Sequence, residues 1–504
     1  MKGEFLLKYI STRGNGERLD SAEAIIHGLA GDGGLFVPEE IPQVSPEFIL
    51  GLAGLSYEER AEKVLSLFLT DYTEDEIRSC VGKAYGGGKF DHEDRAPLKI
   101  LADVSVLELW HGPTSAFKDM ALQLLPRLMS TALKKTGERA EVLILVATSG
   151  DTGKAALEGF RDVEQTKIMV FYPEGGVSKI QRLQMLTQRG GNVKVTAVKG
   201  NFDDAQNGVK KIFGNGAFKE KLSERNVKLS SANSINWGRL VPQIVYYFSA
   251  YADLLKAGKI RMGDEVDFAV PTGNFGDILA AYYGKRMGLP VHKLICASNA
   301  NCVLTDFLRT GVYDRNREFF KTITPSMDIL ISSNLERLLY HVTGEASRVR
   351  GWMEELSRTG RYDVGADVLA EIRELFWADF ADDEKTKAEI RRVHEEYRYV
   401  PDTHTAVAWA VAESYRQQAK EDCPMVVVST ASPYKFNASV LSALEVKTEG
   451  MDEFALLDAL REKSGMKIPQ GLDSLRDAEL LHGDVCGKEG MEEAVFAFAV
   501  TNSR

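Results

Sequence analysis

Two parallel-sheet α/β domains, preceded by a helix-rich N-terminal domain, are what this sequence predicts, and three observations carry the prediction. From about position 97, short apolar β-branched runs alternate with amphipathic stretches of ten or more residues, the pattern of right-handed strand–helix–strand units. The first ninety-odd residues lack that alternation and show helical periodicities instead. The chain has 504 residues, 44% hydrophobic and 27% charged, enough for two or three packed domains.

Taken in order, residues 1–95 form the N-terminal domain. Helical patterns run over 46–55, 57–69 and 74–85, with a glycine-rich stretch at 31–38. Gly86, Gly87, Gly88 and the polar residues 91–95 mark its end. Residues 136–229 read as a small α/β domain with strands at 142–146, 168–172 and 193–198 and helices at 154–160, 178–189 and 203–213. Residues 96–135 and 230–504 make the large domain, with helices at 120–134, 240–255 and 277–287 and strands at 266–270, 294–298 and 425–429. Within it, 301–400 breaks the rhythm. Charged helical patterns at 367–380 and 384–397, with no clear strand, predict a helical insertion, and 496–500 reads as a closing strand.

Composition excludes several classes. A formal net charge of −11 argues against a nucleic-acid partner, which requires a basic face. Five cysteines without a CxxC pair argue against a disulfide framework or zinc site. The eight histidines show no metal-binding spacing, so no metal is expected. No apolar run fits a signal peptide or a membrane span, which points to a cytoplasmic protein without a membrane partner.

Four loops sit where a parallel α/β protein places function, beyond the carboxyl ends of strands. The first is His111-Gly112-Pro113-Thr114-Ser115-Ala116-Phe117-Lys118-Asp119. A lysine ahead of a helix is ordinarily a solvated first-turn residue. The positive end of the helix dipole disfavours it there, however, and burial in that setting would favour a neutral amine fit for a Schiff base. The second, Ala147-Thr148-Ser149-Gly150-Asp151-Thr152-Gly153, offers hydroxyls and helix N-terminal N–H groups to an anion. It also reads as a plain capped turn, and Asp151 would repel a carboxylate if its side chain faced one. The third, Gly273-Asn274-Phe275-Gly276-Asp277, lets backbone approach a phosphate, yet it matches neither the Walker nor the dinucleotide pattern. The fourth gathers Asn233, Asn236 and Arg239 ahead of an apolar helix. It is either a capping segment or a second phosphate site built on the arginine fork. His111 and His404 are further candidates, each equally suited to a cap or a core hydrogen bond.

In combination and in this order, the 32–38 segment, Phe117-Lys118-Asp119, Ser149 to Gly153, Asn233 to Arg239, Gly273 to Asp277 and Ser429-Thr430-Ala431 resemble the threonine synthase family. The resemblance runs over nearly the whole chain. The 301–400 insertion is similar to that of the longer bacterial and fungal class. It implies a fold-type II, tryptophan synthase β-like architecture and pyridoxal 5'-phosphate as cofactor, held through Lys118, the catalytic residue. It implies that Gly273, Asn274, Phe275, Gly276 and Asp277 cradle the cofactor phosphate and that Thr430 meets the pyridine nitrogen. Ser149, Gly150, Asp151 and Thr152 would receive the substrate carboxylate, and Asn236 and Arg239 the substrate phosphate. The implied reaction is conversion of O-phospho-L-homoserine and water to L-threonine and phosphate by a monomer or homodimer. A threonine or serine dehydratase, a phosphohomoserine phospholyase and a catalytically silent relative are the alternatives. One departure is Ser432, where the family often has histidine.

Overall fold

The computed structural model describes residues 6–148, 150–175, 177–419 and 423–501. The N-terminal segment pairs Tyr9–Ser11 with Phe36–Pro38 in an antiparallel ribbon. Helices Ser21–His27, Pro46–Leu52, Tyr57–Ser66 and Glu74–Tyr85 surround it. Serine or threonine caps start the last three of these helices, Ser45, Ser56 and Thr73 each accepting a backbone N–H two or three residues on, which satisfies groups that the helix itself leaves open.

Two mostly parallel sheets follow. The larger has six strands in the order 376–380, 291–298, 266–271, 425–429, 104–108, 98–100, with only the last pair antiparallel. The smaller has five in the order 484–486, 193–198, 166–173, 141–147, 227–230, all parallel. Strands such as Met425–Ser429 and Thr166–Pro173 are buried at every position, as sheets covered on both faces require. Helix Trp237–Lys256 is almost wholly buried and packs on the helix Gly276–Met287 and the N-terminal helices. Among the described residues no helix is long and apolar enough to cross a membrane.

The structure corrects four expectations. The pattern at 367–380 divides into helix Ala366–Leu375 and strand Phe376–Phe380, which joins the edge of the larger sheet. Phe376 and Ala378 point inward while Trp377 and Asp379 are less buried, so the period changes from helical to alternating within one apolar run. The insertion also holds a short antiparallel pair, Val312–Asp314 with Arg361–Asp363. The expected closing strand is a helix, Met491–Ala499, burying Met491, Val495 and Ala499; their four-residue spacing decides against the local Phe-Ala-Phe-Ala alternation. Finally, Asp484–Cys486 pairs with Val193–Val198 in the smaller sheet, so the tail returns to that sheet instead of staying with the larger one.

Candidate active site

Because the strands of the larger sheet around 425–429 are parallel, the loops after Glu108, Pro271 and Ser429 leave from one edge. The first carries Lys118. Its course is fixed by a clip in which the Thr114 N–H and hydroxyl both donate to the Asp119 carboxylate, at 2.7 and 2.8 Å. Gly112 is required there, since a Cβ would lie 2.5 Å from that of Asp119. Ser115 takes a φ of +59°, a left-handed conformation that an L residue holds only when its surroundings demand it. The demand comes from the 430–432 segment. The Phe117 N–H donates to the Thr430 carbonyl at 2.8 Å, the Ser432 N–H to the Ser115 carbonyl at 3.1 Å, and Ala116 bridges Ala431. Lys118 and Thr430 are thereby held side by side.

The Lys118 amine lies 4.8 Å from the centre of the Phe117 ring and has no hydrogen-bond or ion-pair partner among the described residues. Burial is the main cause holding its pKa below the usual lysine value; Asp151 and Asp119 work against that, Arg239 and Lys435 with it. The side chain nevertheless keeps partial exposure, as a group lining a cleft does. A lysine so placed reaches its neutral, nucleophilic form closer to neutral pH.

The loop from Gly273 runs into the first turn of helix Gly276–Met287, which begins with Gly276 and Asp277. Phe275 adopts φ +61°, and the backbone N–H groups of Gly273 through Asp277 have no acceptor among the described residues. The loop's carbonyls are held from behind. Ser332 Oγ donates to the Gly273 carbonyl at 2.7 Å, and Asn334 donates to the Asn274 carbonyl through its side chain at 2.9 Å and its N–H at 3.1 Å. The Asp277 carboxylate accepts from the Tyr246 and Tyr247 hydroxyls, and burial lifts its carboxyl to about 6. Concave N–H groups with no protein partner make an anion nest. Lys118 lies within electrostatic reach of Asp277.

At the second loop, the Thr148 hydroxyl accepts the N–H groups of Gly150 and Gly153, each at 3.0 Å. The N–H groups of Asp151 and Thr152 remain open among the described residues. Ser149 lies outside the described residues. The Asp151 carboxylate is turned to Lys435, 2.9 Å away, and to Gln181 at 3.1 Å, so what it offers an incoming carboxylate is its N–H.

In the fourth segment the two candidates separate. Asn236 caps helix Trp237–Lys256 through Gly238 N–H at 2.9 Å, and its amide donates to the carbonyls of Ile25 and Ser231. Both donor hydrogens are engaged, so the expected phosphate contact from the Asn236 side chain does not hold in this arrangement. Arg239 differs. It is buried, donates to the Ala232 carbonyl at 3.0 Å, leaves Nε without a partner, and has no carboxylate partner among the described residues. Burial pulls its pKa down to about 10.

Sequence reasoning missed Lys435, whose signal was the need for a cation to neutralise Asp151. His404 and His111 are both structural. His404 lies between Asp402 and the Ser326 N–H, and His111 lies between Asp91 and Glu108, which raise it to about 9 against burial. Asp267, His292 and Cys423 bring ligand-type atoms within 4.8 Å of one another. They sit at or before the starts of their strands, the far edge from Lys118. A hollow of about 670 Å³ lined by His92, Glu108 and Asp253 contains none of the site residues.

Among the described residues, an amine without a partner, within electrostatic reach of an uncompensated arginine and of the loop that carries an unfilled N–H nest, fits pyridoxal phosphate and a second anion. Comparison with known proteins agrees. The family models "Threonine synthase N terminus", "Pyridoxal-phosphate dependent enzyme" and "Threonine synthase, C-terminal" match residues 8–85, 98–431 and 405–477. Threonine synthase of Schizosaccharomyces pombe is 39% identical over 469 residues, covering 87% of this chain and 89% of that one. Threonine synthase-like 1 of Pongo abelii is 40% identical over 87% of this chain, which spans only 61% of that longer protein. The crystal structure of PLP-bound threonine synthase from Brucella melitensis superposes with a TM-score of 0.87 at 40% identity, covering 98% of this chain and 100% of that one. The chain belongs to the threonine synthase family of pyridoxal-phosphate-dependent enzymes.

Proposed function

We propose that this enzyme converts O-phospho-L-homoserine and water to L-threonine and phosphate, with its cofactor on Lys118. The observation that carries the choice of a phosphorylated substrate is Arg239, a buried guanidinium near Lys118 with no anion to balance it among the described residues. Such a charge is costly when left alone and is compensated by an anionic ligand.

When bound, pyridoxal phosphate supplies an electron sink for charge developing on the substrate's carbons. The N–H groups of Gly273 to Asp277 would hold its phosphate, while the Asp277 carboxylate stays turned toward Tyr246 and Tyr247. Thr430, fixed beside Phe117, presents a hydroxyl to the ring nitrogen, and a hydroxyl does not enforce ring protonation as a carboxylate would. Gly150, Asp151 and Thr152 receive the substrate carboxylate through backbone N–H groups, with Ser149 beside them. The Lys118 amine would move a proton from the substrate's α carbon and then from its β carbon. Arg239 anchors the γ-phosphate until it leaves. Water adds only after that loss, so the two sheet-bearing units close over the substrate beforehand. We assign 96–135 and most of the chain after 230 to the cofactor-binding unit and 136–229 with the returning tail to the smaller one. The enzyme works in the cytoplasm as a monomer or homodimer.

The equal similarity to a threonine synthase-like protein makes product identity the deciding measurement. Incubation with O-phospho-L-homoserine is expected to release phosphate and threonine in equal amounts. Release of 2-oxobutyrate and ammonia would make the enzyme a phospholyase instead, and absence of phosphate release from cofactor-loaded protein would make it a silent relative.

A further inference from the structure

Asp151 opens helix Asp151–Phe160 at the loop assigned to the substrate carboxylate, where a second negative charge would oppose binding. The residue is only 6% exposed, and Lys435, 3% exposed, is its ion-pair partner at 2.9 Å. The Lys435 ammonium also donates to the Thr114 carbonyl on the Lys118 loop at 3.2 Å and to Gln184 of helix Lys179–Leu186 at 2.7 Å. Lys435 itself follows directly on the 430–432 segment that pairs with residues 115–117. One buried ammonium therefore ties together the cofactor-lysine loop, the carboxylate loop, a helix of the smaller unit and the segment bearing Thr430.

We propose that Lys435 and Asp151 form a charge-balanced clasp that seats the carboxylate loop against the Lys118 loop. The inference rests on Lys118 as the cofactor lysine. Lys435 is a positioning residue: it acts through Asp151 and the loops it joins. The charges facing Lys118 are Asp151, Asp119, Asp277, Arg239 and Lys435. Lys154 and Glu158, one and two turns along the helix from Asp151, pair with each other at 3.4 Å. Since Asp151 and Lys435 act on Lys118 with opposite sign, removing one member of the clasp exposes the field of the other. Without Lys435, the Asp151 carboxylate holds the proton on the Lys118 nitrogen more tightly; without Asp151, the Lys435 ammonium drives it off.

The test is a pH titration of the visible absorbance of the cofactor-loaded enzyme, with substrate-analogue affinity measured beside it. Lys435→Met is expected to raise the titration midpoint by about one pH unit, and Asp151→Asn to lower it by about the same amount. The double variant Asp151→Asn/Lys435→Met is expected to return close to the parent. A non-reacting phosphonate analogue of the substrate should bind Lys435→Met about tenfold more weakly. Simple loosening of the site would admit water in both single variants and move both midpoints the same way. Shifts of like sign, or no shift in either variant, overturn the clasp. If Lys435→Met does not fold, the downward shift in Asp151→Asn supports the clasp alone, and its absence or reversal overturns it. Parent enzyme that lacks any cofactor absorbance would overturn the cofactor assignment together with the clasp, whereas a normal parent band with unshifted variants overturns the clasp only.

Discussion

Replacement of Arg239 by methionine is expected to make the cofactor-free protein more stable and the enzyme worse. Arg239 is 4% exposed, and the one hydrogen bond of its guanidinium among the described residues runs to the Ala232 carbonyl. Burial lowers its pKa from the usual arginine value to about 10. At about 1.4 kcal/mol for each tenfold change in proton affinity, keeping this group charged destabilises the folded state by about 3 kcal/mol. Because the folded pKa is depressed for a cation, that penalty applies throughout the neutral range and is relieved only as pH rises through 10. Methionine, of similar length, removes the charge and forfeits a hydrogen bond worth about 1 kcal/mol, leaving a net gain of about 2 kcal/mol. In the complex the balance reverses, since losing charge-assisted contacts to a phosphate costs about 2–4 kcal/mol, roughly 30- to 1000-fold in affinity. Denaturant melts of the cofactor-free protein read the first effect, and steady-state kinetics with O-phospho-L-homoserine against unphosphorylated homoserine read the second. A destabilised variant, or equal losses for the two substrates, would refute the reasoning.

Asp277→Asn is expected to show the opposite pH dependence. With its folded carboxyl lifted from 3.8 to about 6, the charged side chain destabilises the fold by about 3 kcal/mol above pH 6, and that penalty fades as pH falls toward 4. The variant should therefore exceed the parent in stability at pH 8 and match it near pH 4; a constant difference across that range would contradict the assignment. Gly112→Ala places a methyl 2.5 Å from the Asp119 Cβ, so the Thr114–Asp119 clip should open, with a loss of at least about 2 kcal/mol and of cofactor retention on gel filtration. Gly273→Ala sets a Cβ 2.9 Å from the Ser326 carbonyl oxygen. A raised dissociation constant for the cofactor with unchanged secondary structure by circular dichroism is the expected result.

The class of fold was legible because buried strands such as 142–146, 168–172 and 425–429 announce themselves as continuous apolar runs between amphipathic helices. What misled was composition shared by two periods. Phe376-Trp377-Ala378 continues a helical stretch, yet pairs as an edge strand, and the alternating Phe496-Ala497-Phe498-Ala499 lies on a helix whose buried positions are four apart. The candidate loops were legible as glycine- and hydroxyl-rich turns, but their division of labour was not. Asn236 and Arg239 stand three residues apart in one segment, and only their partners show that the first is a structural cap and the second an uncompensated cation. The contact between Lys435 and Asp151 spans more than half the chain, and no local pattern encodes it.

The most direct test is to fix the cofactor in place by borohydride reduction of the loaded enzyme and to locate the pyridoxyl group by peptide mass spectrometry. The assignment of the cofactor to Lys118 requires a single modified residue, Lys118, and no modification or yellow colour in Lys118→Ala. A label on Lys435, Lys154 or any other lysine, or a Lys118→Ala variant that keeps both the visible band and turnover, would contradict it.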